Sequence, residues 1–162
     1  MEGFLLLLWD KAGVLWCRVK CILAPRRVYP SKPVLNDLLS DPLVNAELRR
    51  AWYESNPHAP EVPRGQPSSR KKEQGGFIYW NRNTRKLEIE RMPACGRDEM
   101  SGEFPSVSGD RELVGGFHTH PNTAAEGYAA DPSLADRAFT RTVSQVPEII
   151  ETHEGRKTIT YP

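Results

Sequence analysis

The sequence predicts a mixed α/β fold of the α+β type, and three observations predict it. Asp41-Pro42 and Asp131-Pro132 each pair a helix-capping residue with a proline at the first helical position, ahead of apolar residues near 3.6-residue spacing. Between them, Phe77–Trp80 and Lys86–Glu90 flank Asn81-Arg82-Asn83-Thr84 as a hairpin, and Glu112–His120 reads as a further strand. The tail offers two short strands, Glu148–Thr152 and Lys157–Tyr161, around a His153-Glu154-Gly155 turn.

The chain has 162 residues, enough for one domain, 41–162, with residues 1–40 as an N-terminal extension. Its 22 Lys plus Arg against 21 Asp plus Glu give a net charge of +1, which makes no case for nucleic acid or for a polybasic membrane surface. The apolar share is 38%, and 14 prolines with a mean hydropathy of −0.57 point to a loop-rich protein. The sequence contains no run of apolar residues long enough to cross a bilayer. Cys17, Cys21 and Cys95 are odd in number and form no Cys-x-x-Cys pair, so free thiols in a reducing cytoplasm are expected.

Phe4–Trp9 is apolar but ends at Asp10-Lys11, and Glu2 is the one charge before it, so it does not read as a secretory signal. The stretch reads instead as a hairpin: Phe4–Trp9, an Asp10–Gly13 turn, then Val14–Leu23, rich in β-branched and aromatic residues. The competing reading places it outside the fold, or makes it the product of a wrongly assigned start. Residues 24–34 carry three prolines and read as linker. The first helix follows, with Asp41 as cap, Leu43, Val44, Leu48, Ala51 and Trp52 on its apolar face, and an end near Ser55-Asn56-Pro57. Residues 56–69 hold four prolines and form a loop, and Arg64, Arg70, Lys71 and Lys72 read as solvated charge. Residues 93–110 read as a second loop, and the second helix runs through Ser133, Asp136, Phe139 and Val143.

The chemistry concentrates after residue 116. His118 and His120 lie two apart on an expected strand, whose side chains alternate, so both imidazoles leave one face. Ser133 and Asp136 lie three apart on an expected helix and also share a face. Two imidazoles and a carboxylate suit Zn²⁺, and three protein ligands leave a fourth position for water, as catalytic sites require. Water at that position acquires a pKa near ~7. A neighbouring carboxylate must then accept its proton and return it to the leaving amine, and a hydroxyl such as Ser133 can stabilise the developing oxyanion. Taken singly, His-x-His is an ordinary strand pair and Ser-x-x-Asp an ordinary helix start. Their conjunction, with Pro121 and a loop between, is the informative signal.

Gly116-Phe117-His118-Thr119-His120-Pro121 followed by Ser133-Leu134-Ala135-Asp136 resembles the JAMM motif of JAB/MPN-type metalloproteases, H-x-H-P…S-x-x-D. Glu73-Gln74-Gly75-Gly76-Phe77-Ile78-Tyr79 resembles the family's upstream glutamate ahead of an apolar strand, and the likeness covers about residues 45–162, over which the chain is similar to prokaryotic JAB-like proteins. The resemblance implies a curved mixed β-sheet flanked by helices, in a cytidine-deaminase-like architecture. It implies His118, His120 and Asp136 as ligands of one catalytic Zn²⁺, Glu73 as general acid/base and Ser133 as oxyanion stabiliser. The implied activity is hydrolysis of a peptide or isopeptide bond in a protein substrate, of the kind that releases ubiquitin-like proteins. Pro121–Pro132 supplies twelve residues where the family usually has seven, which leaves Glu126 and Asp131 as rival carboxylates and bears on the substrate groove.

Glu73 has a plainer reading as a solvated residue after Lys71-Lys72, but Gly75-Gly76 directly after it permits a close backbone approach beside a metal site. Other classes fit less well. A non-catalytic scaffold of the same fold would be expected to lack some of these five residues. A two-metal phosphoesterase or nuclease needs more ligands than four histidines can supply, with His58 and His153 in loop or turn. A zinc deaminase needs a Pro-Cys-x-x-Cys that is absent.

Overall fold

The computed structural model of the chain describes residues 15–16, 18–67, 69–94, 96–97 and 109–161. Its centre is a five-stranded mixed sheet in the order β2-β1-β3-β4-β5, built from β1 (Gly75–Asn81), β2 (Lys86–Arg91), β3 (Arg111–His120), β4 (Glu148–Thr152) and β5 (Gly155–Ile159). The β1–β2, β1–β3 and β4–β5 pairs are antiparallel, and β3–β4 is parallel. The hairpin at Asn81–Thr84 and the strand ending at His120 thus form as the sequence predicts. The final strand begins at Gly155, whose positive φ of 97° completes the turn, rather than at Lys157.

Helices α2 (Leu35–Ser40) and α3 (Pro42–Glu54) cover one face of the sheet. Leu38, Leu43, Val44, Leu48 and Ala51 pack there with Ile78, Leu87, Val114, Phe117 and Ile149 in one apolar core. Tyr29 belongs to the same core, so the proline-rich stretch contributes side chains to the fold. Residues 15–16 and 18–23 are helical (α1), not the second strand of a hairpin. β-Branched and aromatic composition suggests a strand, but Leu15, Val19 and Ile22 stay exposed, and α1 meets the rest of the fold through the buried Cys21 and through Arg18, which reaches Glu54 at 3.1 Å. The companion strand expected at Phe4–Trp9 lies outside the described residues, as does most of the loop expected over 93–110.

The opposite face carries a smaller cluster, Phe77, Tyr79, Leu113 and Val146, and is otherwise open. Register decides what faces that opening. Ile78 pairs with Gly115 and Tyr79 with Leu113, so Val114 is an extra residue in β3. A bulge of this kind resets the alternation of side chains. Beyond it, Gly116, His118 and His120 emerge on the open face together with Phe77, the partner of Gly116.

Asp41 caps α3 as expected: its Oδ1 accepts from the backbone N–H of Leu43 at 2.8 Å and of Val44 at 3.1 Å. Its Oδ2 accepts from the buried Tyr29 hydroxyl at 2.7 Å, tying the proline-rich segment to the helix. Asp41→Ala removes the cap and strands a buried hydroxyl, so a loss of about 2–4 kcal/mol is expected in urea unfolding. Tyr29→Phe, which leaves the cap intact, should cost clearly less.

Candidate metal centre

The alternation of β3 brings the two imidazoles together, with Nε2 of His118 3.1 Å from Nε2 of His120. The third group arrives from α4 (Leu134–Phe139), which continues as a π-helical turn, Thr140–Ser144. Its N-cap is Ser133, not Asp131. The Ser133 hydroxyl accepts from the Asp136 N–H at 3.1 Å, while the Ser133 N–H donates to Asp136 Oδ2 at 2.6 Å. This reciprocal box explains the Ser-x-x-Asp spacing on structural grounds alone, and Pro132 precedes the cap rather than opening the helix. Held this way, Asp136 places Oδ1 3.4 Å from His118 Nε2 and Oδ2 3.5 Å from His120 Nε2.

These separations fit a bound cation. Ligand atoms ~2.0–2.2 Å from a tetrahedral Zn²⁺ lie ~3.3–3.5 Å apart. The two imidazole nitrogens are 3.1 Å apart, each has one Asp136 oxygen at 3.4 or 3.5 Å, and with one ligand atom taken per residue all three lie within 4.8 Å. Imidazole and carboxylate donors also suit other divalent transition metals, so the donor set fits zinc without selecting it.

Electrostatics keeps the cluster charged when no cation is present. Burial alone would lower the pKa of His118, but the Glu148 carboxylate, with Asp136 and Glu73 behind it, raises it from 6.5 to about 9. Burial pushes Asp136 upward, yet the bond with His120, the field of His118 and the Ser133 cap hold it well below the usual carboxylate range.

Glu73 lies on the same cleft, two residues before β1, and is only 8% exposed, which disposes of the solvated reading. Its N–H donates to the Gly96 carbonyl at 3.1 Å, and the next N–H, of Gln74, donates to Oγ1 of Thr119 at 3.1 Å. Thr119 sits between the two histidines, so the glutamate's backbone is hung directly on the strand that carries them. Arg91 adds a bond to Oε1 of Gln74 at 3.0 Å. Gly76 is required here: a Cβ at that position would meet the Phe117 ring at 3.0 Å and overlap the Glu90 carbonyl. The structure therefore gathers Glu73, His118, His120, Ser133 and Asp136 around one cleft of about 740 Å³, with Phe77, Met92 and Phe139 on its apolar wall.

The rival carboxylates are accounted for. Asp131 has a side chain 75% exposed, with Lys157 at 3.4 Å. Glu126 is fully buried and turned away, bonded to Lys71 Nζ at 2.6 Å, to Arg97 at 2.9 Å and to the N–H groups of Val62 and Thr123 at 3.0 and 2.9 Å. Lys71, expected as solvated charge, is 1% exposed. Sequence reasoning missed this hub, and also missed Glu148, whose Oε1 lies 3.0 Å from Nδ1 of His118. Both contacts join residues 30 or more positions apart, 118 with 148 and 71 with 126, and carry no local pattern.

The Glu126 hub yields a pH prediction. Burial raises its pKa, but Lys71 and the two backbone donors outweigh that and bring it from 4.5 down to about 2. Because the folded value lies below the ordinary one, the stability it contributes is complete above pH ~4.5 and is lost as pH falls towards ~2. Glu126→Gln leaves Lys71 buried and unpaired, so urea unfolding at neutral pH should show a loss of about 3–5 kcal/mol. The variant should also lose less stability than wild type between pH 4.5 and 3.

Compared with known proteins, the chain matches no family model, no curated protein and no solved structure.

Proposed function

We propose that the chain is a zinc-dependent hydrolase of the JAMM type, with a JAB/MPN fold, that cleaves peptide or isopeptide bonds in a protein substrate. The observation that carries the reading is the convergence of the His118, His120 and Asp136 donors, all within 4.8 Å of one another, in the cleft that also holds Glu73. His118, His120 and Asp136 would hold the zinc, which when bound would supply Lewis acidity and activate water for attack near neutral pH.

The protein's own groups do the rest. Glu73, fixed through Gly96 and Thr119, takes the proton of the attacking water and returns it to the leaving amine. The Ser133 oxygen accepts from Asp136 N–H, and its own hydrogen is available to donate to the oxygen that gains charge as the carbonyl is attacked. The apolar wall of Phe77, Met92 and Phe139 excludes water from the flank of the scissile bond. A ubiquitin-like protein ending in an extended tail is the substrate that the family resemblance supports.

Metal analysis of the purified chain should find one zinc per molecule, lost in His118→Ala with His120→Ala. Glu73→Gln should keep the zinc and lower the hydrolysis of a ubiquitin-like fusion by about 10²–10⁴-fold. Zinc bound with no hydrolysis of any fusion or isopeptide-linked dimer would leave a binding scaffold. Ser133→Ala should lower kcat by about 10²-fold while retaining zinc. In the metal-free protein His118 titrates at about 9, so zinc must displace its proton. Apparent zinc affinity, measured with a competing chelator, should therefore fall about tenfold per pH unit from pH 8 to 7.

A further inference from the structure

Glu148 opens β4 and stands beside Gly116 in the parallel register of β3 with β4. It is 6% exposed, and its Oε1 lies 3.0 Å from Nδ1 of His118, two residues further along the neighbouring strand. An ionised carboxylate only accepts hydrogen bonds, so Nδ1 must carry the hydrogen. In the neutral ring, the form that binds a metal, that leaves Nε2, the atom facing His120 and Asp136, with its lone pair turned into the site.

The room for this contact is built into the opposite strand. A Cβ at position 116 would stand 2.9 Å from Cδ of Glu148 and 3.0 Å from its Oε1, and would overlap Oε2. The carboxylate thus fills the volume that any side chain at 116 would take. Its Oε2 is buried and has no hydrogen-bond partner among the described residues. Burying a carboxylate with one oxygen unsatisfied is unfavourable for folding, so packing gives no reason for an acid here. The contact with His118 does. No carboxylate among the described residues is bonded to Nδ1 of His120, so the two imidazoles are supported unequally.

We propose that Glu148, in the space left by Gly116, is the positioning residue that fixes the His118 tautomer and strengthens Nε2 as a metal donor. The inference rests on the reading that His118, His120 and Asp136 hold zinc. Carboxylates placed behind ligating imidazoles commonly raise metal affinity by 10- to 100-fold.

The test uses the full chain and zinc alone, with a chromophoric chelator as competitor and Co²⁺ as a spectroscopic substitute. Glu148→Leu should weaken zinc binding by about 10- to 100-fold. Glu148→Gln, whose amide oxygen still accepts the Nδ1 hydrogen, should recover a large part of that loss. Gly116→Ala should weaken binding with the carboxylate still present, because its methyl group displaces it. In each weakened variant the Co²⁺ ligand-field bands should move, whereas a merely structural role would lower the melting temperature and leave the spectrum of the folded protein unchanged. Zinc affinity within twofold of wild type in both Glu148→Leu and Gly116→Ala would overturn the assignment while leaving the metal site standing. Wild-type protein that takes up no zinc would overturn the metal reading, and this inference with it.

Discussion

The parallel pairing of β3 with β4 is the constraint on which the rest depends. Parallel neighbours cannot be joined by a tight turn, so the chain leaving His120 must cross over the sheet before β4 can begin. That crossover contains α4, and its start is therefore delivered to the carboxyl end of β3, the end where His118 and His120 project. In sheets with parallel strands this end is where ligands gather. Asp136 meets two imidazoles because the topology allows the crossover few other places to begin.

Packing alone does not hold α4 in place. None of its six residues is buried, and Leu134 is 87% exposed. Its position is set by the approach of Asp136 to the histidines, by the loop leading into it, and by the buried Thr140 and Ser144 of its π-helical continuation. That loop is anchored by Glu126, whose ion pairs reach Lys71 on one side and Arg97 on the other. Buried ion pairs of this sort are poor net stabilisers next to apolar packing, and their value lies in specifying one arrangement. The sheet supplies stability from the α2–α3 face, and the charged hub supplies order on the open face.

Local patterns in the sequence were enough to find α3, α4, the five strands and three converging groups, but not α1 or α2. Asp41-Pro42 marks a helix start with no tertiary help, and the two-residue spacing of His118 and His120 is a property of any strand. Asp131-Pro132 offers the same signature and misleads, because Ser133, with Asp136 three residues on, makes the better box and pushes the proline outside the helix. At 15–16 and 18–23 β-branched composition misleads in the other direction, and the stretch is helical. Glu148 and Lys71 were illegible for a different reason. Each acquires its meaning from a partner fixed by strand register or loop path, and neither register nor path is written in the neighbouring residues.

Twelve residues, Pro121–Pro132, connect His120 to Ser133. Within them the chain folds into a short 3₁₀ turn, Ala124–Glu126, that is closed by Gly127 at φ 88°. Glu126 sinks into the hub, and its carbonyl accepts from the Arg64 N–H at 2.9 Å. The connection is thereby bonded to the 61–66 loop ahead of α4. It also brings Tyr128 to the cleft, with the guanidinium groups of Arg64 and Arg97 each 5.0 Å from its ring centre. Arg97 shares the Glu126 carboxylate with Lys71, while Arg64 has no carboxylate partner among the described residues. The connection thus puts an aromatic ring and an uncompensated guanidinium on the wall of the cleft that holds His118, His120 and Asp136, so what approaches these donors is shaped by a segment that supplies none of them.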